Sequence, residues 1–235
     1  TMFIIQLFQS GLSAVEIFIY LLAILGAIMV AIMCHEVAHG YVALLNGDPT
    51  AKMAGRLNFN PVKHFDPIGF LMMLFVGFGW AKPVPVDYRN FKNVKKGVLT
   101  VSLAGVGANF VIAFLCYLLG FLTYKIFGST ETSELWSRII LLFYLFFYYS
   151  VSINLSLIAF NILPLYPLDG FRVLSALAPR SKVTEFLLKY GNYILIGLVV
   201  FGTLVPSLDV LGIYVGFVSG LIEKLFSLIF GGWTF

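Results

Sequence analysis

Two histidines and one glutamate occur close together in the sequence, in the run His35-Glu36-Val37-Ala38-His39. On a helix, side chains four residues apart leave the same face one turn apart, so the two imidazoles can bind one metal ion. Histidine pairs at this spacing are typical of zinc sites, and the glutamate beside them can act as a general base. The chemistry that this pattern predicts is hydrolysis at a zinc centre, with water as the nucleophile.

The composition places this motif in an unusually apolar chain. Of the 235 residues, 60% are hydrophobic and 11% are charged, whereas about a quarter of the residues in soluble domains are charged. The chain is therefore expected to be a polytopic membrane protein surrounded by a lipid bilayer. Ionisable side chains within a bilayer are costly and usually functional, which strengthens the zinc interpretation. The net charge of +4 forms no basic stripe, so no nucleic-acid partner is expected.

Long apolar runs predict an all-α polytopic membrane protein with about five to six transmembrane helices and a re-entrant or short-strand segment near the active site. The predicted spans are 17–45, 98–127, 139–163, 193–205 and 210–230.

Two shorter segments complete the predicted organisation. The apolar segment 68–80 contains three glycines and is too short for a regular span, so we expect it to re-enter the membrane or to cross it together with another segment. Residues 1–9 are candidates for an interfacial helix. We predict a single integral membrane domain over residues 1–235, with a catalytic core at 17–180 and C-terminal helices at 190–231.

Lysines and arginines predict how the spans are oriented, because cytoplasmic loops are enriched in both. The loops on either side of 68–80 are basic, and so is the loop after the third span, whereas the loop at 125–138 balances basic with acidic residues. The first span is therefore expected to run from outside to inside. This orientation places His35 and His39 in the cytoplasmic half of the membrane.

A catalytic zinc site needs a third protein ligand and an open position. Asp169 is the strongest candidate, because it follows the third span on the same predicted side as the two histidines. Pro164 and Pro167 would break the helix there and free the backbone to direct Asp169 inward. Asp169 is also a candidate N-cap for a helix over 170–177. The remaining histidine, His64, lies in a polar loop and is expected to make a loop hydrogen bond.

Several stretches of the sequence together are similar to one family. They are the His-Glu-x-x-His run and the segments 55–61, 64–69, 79–86, 103–109 and 161–170. With these motifs the chain resembles the site-2 proteases, which are intramembrane zinc metalloproteases, and is most similar to their compact bacterial branch without an appended soluble domain. The resemblance implies one zinc ion per chain, bound by His35, His39 and Asp169, with Glu36 as the catalytic base.

The same resemblance implies what the enzyme acts on and where. It implies a zinc metalloendopeptidase that hydrolyses peptide bonds within or near transmembrane segments, as in regulated intramembrane proteolysis. The implied substrates are single-span membrane proteins or signal-peptide remnants. The implied location is the bacterial cytoplasmic membrane, with the active site toward the cytoplasmic side. The oligomeric state is not predicted.

Further site residues follow from chemistry and from this mechanism. Asn109 and Asn161 are candidate substrate or oxyanion donors, because an amide in an apolar span is costly without a partner. Asn109 is an equally good candidate for a hydrogen bond between helices. A substrate helix must unwind before cleavage, and the unwound strand is expected to pair by β-augmentation with Leu57, Asn58, Phe59 and Asn60.

A zinc or other divalent-metal transporter is the alternative function. It would use similar ligands near the membrane midplane, at the interface of internal repeats. The sequence shows neither a repeat nor a second His-Glu-x-x-His segment. A transporter would also have no use for a base beside a water-activating zinc ion, so the protease is favoured.

Overall fold

The computed structural model describes residues 9–64, 66–69, 82–128, 130 and 132–232. Helices make up most of these residues, and none of them lies in a β-strand. In chain order the helices are α1 (Ala14–Leu45), α2 (Thr50–Met53), α3 (Pro61–His64), α4 (Val94–Phe127), α5 (Glu134–Asn161), α6 (Asp169–Leu177), α7 (Lys182–Leu204) and α8 (Val210–Phe230). Two short 3₁₀ helices cover Tyr88–Asn90 and Pro206–Leu208.

Five of these helices, α1, α4, α5, α7 and α8, are long and apolar enough to cross a membrane. The predicted all-α fold of an integral membrane protein is confirmed. The largest difference in bounds concerns α7, which was predicted over 193–205 and begins at Lys182. The first turns of α7 carry charged residues, so a prediction from apolar length alone leaves them out of the helix. The Ser181 side chain caps the helix by accepting the Thr184 N–H at 3.0 Å.

Some predicted segments fall on residues outside the described part of the chain. The described residues include only 68–69 of the proposed re-entrant segment 68–80, and only residue 9 of the proposed interfacial helix at 1–9. Both proposals stay predictions, as does the division of 1–235 into one catalytic core and C-terminal helices.

The N-terminus of α1 is fixed by a capping box. The Glu16 N–H donates to Ser13 Oγ at 3.3 Å, and the Ser13 N–H donates to Glu16 Oε2 at 2.8 Å. These two bonds satisfy backbone groups that have no partner within the helix. The helix then runs for 32 residues, and the two histidines lie in its C-terminal half.

The buried face of α1 recurs at every fourth residue. Its members are Ile19, Ala23, Ala27, Ala31, His35, His39 and Ala43. Every fourth residue is displaced by about 40° around an ideal helix, so this stripe winds around α1. Its start packs against Leu145 of α5, and its end packs against Val101 of α4. The alanines allow close approach of the neighbouring helices, and the stripe directs both histidines into the protein rather than toward lipid.

Candidate metal centre and active site

His35, His39 and Asp169 converge within the protein interior, and all three are buried. The two Nε2 atoms lie 2.9 Å apart. Asp169 Oδ2 lies 3.3 Å from His35 Nε2 and 3.1 Å from His39 Nε2. Ligand atoms placed at 2.0–2.1 Å around a tetrahedral zinc ion are separated by about 3.3 Å. The three atoms are therefore close to the spacing that one zinc ion requires.

Hydrogen bonds on the far side of each imidazole determine which nitrogen faces the centre. His35 Nδ1 lies 2.5 Å from Asn109 Oδ1, and His39 Nδ1 lies 2.7 Å from the Val101 carbonyl oxygen. Both partners are acceptors, so each Nδ1 donates a hydrogen and each neutral ring keeps a lone pair on Nε2. Both lone pairs then point to the same place, as metal ligation requires.

The third converging atom is also an acceptor. Asp169 Oδ2 is buried and has no hydrogen-bond partner among the described residues. Two imidazole lone pairs and an unpaired carboxylate oxygen in contact would be costly in an apolar interior. A divalent cation between them removes this cost, so the donor set fits zinc, which accepts nitrogen and oxygen ligands.

Gly105 of α4 makes room for both imidazoles. A Cβ atom at this position would lie 2.5 Å from His35 Cε1 and 2.5 Å from His39 Nε2. These distances are shorter than non-bonded contacts allow, so any larger residue would displace the histidines. Because residue 105 is a glycine, the backbone of α4 can lie directly against the two imidazoles and form one wall of the metal centre.

A broken helix brings Asp169 to the histidines. The helix α5 ends at Asn161, and α6 begins at Asp169 after an irregular connection. Gly170 packs directly against the carbonyl oxygens of Ile162 and Leu163, where a Cβ atom would clash. The N-cap of α6 is Leu168, and its side chain makes no capping bond. The alternative that Asp169 is an N-cap residue is therefore wrong, because its carboxylate points to the imidazoles instead.

The Asn109 amide is completely buried and fully used within the protein. Its Nδ2 donates to the Ala31 carbonyl at 3.3 Å and to Asn154 Oδ1 at 2.7 Å, which leaves Oδ1 to face His35. Asn154 in turn donates to the Ser150 carbonyl at 2.7 Å. A chain of hydrogen bonds thus joins α1, α4 and α5 beside the metal centre.

Glu36 lies next to the first histidine and contacts a different part of the chain. Its Oε2 accepts the backbone N–H of Val84 at 2.7 Å. Val84 is buried and belongs to the irregular segment 82–87, which follows the undescribed residues 70–81. This hydrogen bond fixes one carboxylate oxygen of the residue that directly follows the candidate ligand His35.

Comparison with known proteins agrees with this geometry. A family model described as "Peptidase family M50" matches residues 23–202. The chain belongs to peptidase family M50. It is 40% identical to the "Putative zinc metalloprotease YwhC" of Bacillus subtilis over 161 residues, which are 67% of this chain and 71% of that protein. It is 30% identical to the "Putative zinc metalloprotease Rip2" of Mycolicibacterium smegmatis over 178 residues, which are 70% of this chain and 63% of that protein. No solved structure matches the chain.

Membership in family M50 confirms the resemblance to the site-2 proteases. The protein is a zinc metalloprotease, and the group formed by His35, His39 and Asp169 is the candidate site for its metal. These findings favour the enzyme over the transporter that the sequence left as an alternative.

Two other residues singled out in this M50 chain, Asn161 and His64, have hydrogen-bond partners other than the three candidate ligands. Asn161 ends α5, is half-buried and donates to its own helix, at the Leu157 carbonyl, with a distance of 3.0 Å. His64 Nε2 lies 2.9 Å from the carbonyl oxygen of Asn58, a loop hydrogen bond. The segment 57–60 has no regular secondary structure, and Phe59 is exposed.

Sequence reasoning missed three contributors to the site. Asn154 was detectable, because it is an amide in an apolar span and the same argument had selected Asn109. The Val101 carbonyl and the Val84 N–H carried no such signal, since every residue offers a backbone carbonyl and every residue except proline offers a backbone N–H. Only the fold shows that they contact His39 and Glu36.

Proposed function

We propose that the protein hydrolyses peptide bonds within or near the transmembrane segments of membrane-anchored substrates, in regulated intramembrane proteolysis. The observation that carries the proposal is the joint position of the candidate ligands and Glu36. The two histidines and Glu36 lie on α1, which is long and apolar enough to cross a membrane. A protease site on such a helix is suited to substrates that are themselves in the membrane.

The three ligand residues would hold the zinc ion, and Glu36 would move the proton. When bound, zinc supplies Lewis acidity that activates water and polarises the substrate carbonyl. Glu36 takes a proton as the water oxygen bonds to the carbonyl carbon. It returns that proton to the amide nitrogen as the carbon–nitrogen bond breaks, so the leaving group departs as an amine. The Val84 N–H holds Oε2 and leaves Oε1 for this transfer.

The two asparagines are proposed to act differently. Asn109 donates both amide hydrogens within the protein, which supports a role in holding His35. Asn161 is half-buried and uses one amide hydrogen in its own helix, so its second hydrogen can reach outward. We therefore assign the oxyanion or substrate contact to Asn161, while the same role for Asn109 stays a prediction.

Substrate binding is proposed to use the loop that follows α2. A helical substrate hides its scissile carbonyl in its own hydrogen bonds, so it must unwind before hydrolysis. The segment Leu57, Asn58, Phe59 and Asn60 would pair with the unwound strand. The exposed Phe59 ring offers an apolar contact for a substrate side chain. Single-span membrane proteins and signal-peptide remnants are the substrate classes that this arrangement suits.

The location follows from the charges of the loops. The metal centre lies toward the C-terminal end of α1, and basic residues are frequent in the chain that follows. We propose the bacterial cytoplasmic membrane as the location, with the active site toward the cytoplasm. Single cysteines placed at Arg89 and at Thr132 would test this orientation in intact cells. A membrane-impermeant thiol reagent should label position 132 only, and labelling of position 89 alone would contradict the orientation.

Cleavage by the purified protein in lipid vesicles tests the proposed function. One substrate is a single-span peptide in the same vesicles, and the matched control is a soluble peptide with the same residues around the cleavage site. We expect cleavage of the membrane-anchored peptide, loss of cleavage with a zinc chelator, and recovery when zinc is added back. Equal cleavage of the soluble peptide would contradict the intramembrane substrate class. Zinc uptake into the vesicles without any cleavage would support the transporter.

A further inference from the structure

A buried carboxylate lies just beyond α1, outside the metal centre. Asp48 has none of its surface exposed. Its Oδ1 accepts the Thr50 N–H at 3.1 Å, the Thr50 hydroxyl, and Asn90 Nδ2 at 2.8 Å. Burial raises the pKa of Asp48, but the hydrogen bonds outweigh burial and hold the pKa below its usual value. The side chain is therefore a charged carboxylate that the fold surrounds with donors.

The second oxygen of Asp48 reaches a distant part of the chain. Oδ2 accepts the backbone N–H of Asp87 at 2.8 Å, a contact between residues 39 positions apart. A local turn needs only the bonds from Thr50, which form an ordinary Asx turn. The bonds from Asp87 and Asn90 do something further, because they fasten the segment 82–90 to the end of α1.

The segment that Asp48 holds is the one that contacts Glu36. At its start, the Lys82 N–H donates to the His64 carbonyl at 3.1 Å, and Arg56 Nη2 donates to the Lys82 carbonyl at 2.6 Å. At its end, the Asp87 N–H donates to Asp48. Between these two fixed points, the Val84 N–H donates to Glu36 Oε2.

Val84 fits closely against α1. Pro83 and Pro85 flank it and restrict the backbone of the segment. The absence of a side chain at Gly40 allows the contact, because a Cβ atom there would lie 2.8 Å from Val84 Cγ1. The position of the Val84 N–H therefore depends on the hydrogen bonds that attach the two ends of the segment 82–87.

We propose that Asp48 is a positioning residue for Glu36, acting through the Asp87 N–H and the segment 82–87 to place the Val84 N–H on the catalytic carboxylate. Among the described residues, the Asp48 carboxylate accepts hydrogen bonds from Thr50, Asp87 and Asn90, which are neither candidate metal ligands nor Glu36. Its effect on cleavage rests on the proposed function, whereas its effect on the segment does not. The two effects are therefore measured separately.

The test variant is Asp48→Asn, which keeps the shape of the side chain. In one orientation, the new amide places its NH2 group against the Asp87 N–H, which is also a donor. In the other orientation, it offers the Asp87 N–H an uncharged oxygen, which is a weaker acceptor than a carboxylate. We expect hydrogen–deuterium exchange at Val84 and Asp87 to become about tenfold faster or more, the change expected when a bond to a charged acceptor is lost. Exchange within α1 and the zinc content should be unchanged. In cleavage, we expect kcat to fall about tenfold while KM stays within about twofold.

Two further variants keep the test decisive. Arg89→Ala is the matched control, because it removes an exposed ion pair with the Asp87 side chain and leaves the Asp87 N–H in place. It should leave both exchange and cleavage unchanged. If Asp48→Asn does not fold, Asn90→Ala removes one donor from the same carboxylate. It should accelerate exchange in 82–87 by a smaller factor and lower kcat with it.

The outcomes separate this proposal from the proposed function. Unchanged exchange at Val84 in a folded Asp48→Asn protein would overturn the positioning role, and so would faster exchange with an unchanged kcat. A higher KM with an unchanged kcat would also overturn it. If the wild-type protein cleaves no membrane-anchored peptide, the proposed function fails, but the exchange measurement still decides whether Asp48 holds the segment.

Discussion

The Nε2 atoms of His35 and His39 lie 2.9 Å apart on consecutive turns of α1, and the Nδ1 atom of each ring faces an oxygen acceptor on α4. Both rings are therefore oriented by hydrogen bonds to the protein itself. The helix α4 both orients the rings through Asn109 and Val101 and leaves space for them at Gly105. This shared dependence on α4 leads to specific expectations for single substitutions.

A methyl group at position 105 should disrupt the metal centre. We expect Gly105→Ala to lose most of its bound zinc and to lose cleavage activity by about a hundredfold or more, because the new Cβ collides with both imidazoles. Gly107→Ala is the matched control on the same helix, since a Cβ at Gly107 meets nothing within 4 Å. Metal analysis of both purified variants checks the prediction. Full zinc occupancy in Gly105→Ala would show that the histidines can move aside.

Removing a ligand should abolish stoichiometric zinc binding. We expect His39→Ala and Asp169→Asn each to retain far less than one zinc ion per chain after dialysis, because three protein ligands are needed for a stable site. His64→Gln is the control, because His64 contacts the Asn58 carbonyl instead of the metal centre. Zinc is measured by atomic emission on folded protein. A variant of Asp169 that keeps one tightly bound zinc ion would remove this residue from the ligand set.

The asparagine behind His35 should tune metal affinity. We expect Asn109→Leu to weaken zinc binding by about tenfold to a hundredfold, since the ring loses the acceptor that fixes its orientation. Competition with a chelator of known affinity measures the change. Ser102→Ala is the control on the same helix. It removes a buried hydroxyl oxygen that has no hydrogen-bond partner among the described residues. Unchanged zinc affinity in folded Asn109→Leu would leave Asn109 as a contact between helices only.

The sequence predicted the spans and the two histidines of the candidate metal centre from local signals. Apolar length identified the five helices, and the spacing of His35 and His39 identified one face of a helix. Asp169 required an additional argument, since only the predicted topology placed it at the same depth. The structure shows its carboxylate beside both imidazoles.

Other features could not be predicted from the sequence, for physical reasons. The bond from the Val84 N–H to Glu36 joins residues 48 positions apart and uses a backbone group that every residue except proline possesses. The need for glycine at position 105 arises from the approach of two helices, which composition does not encode. The start of α7 was predicted too late, because its charged first turns lie outside the apolar run.

The most direct test of the account is the substitution Glu36→Gln, with zinc content and cleavage measured on the same preparation. The central claim is that the metal centre and Glu36 together hydrolyse a membrane-anchored peptide. Glutamine keeps the shape of the side chain but cannot take the water proton. We predict one zinc ion per chain, as in the wild type, and a loss of cleavage of about a hundredfold to ten-thousandfold. Full zinc occupancy with cleavage near the wild-type rate would contradict it.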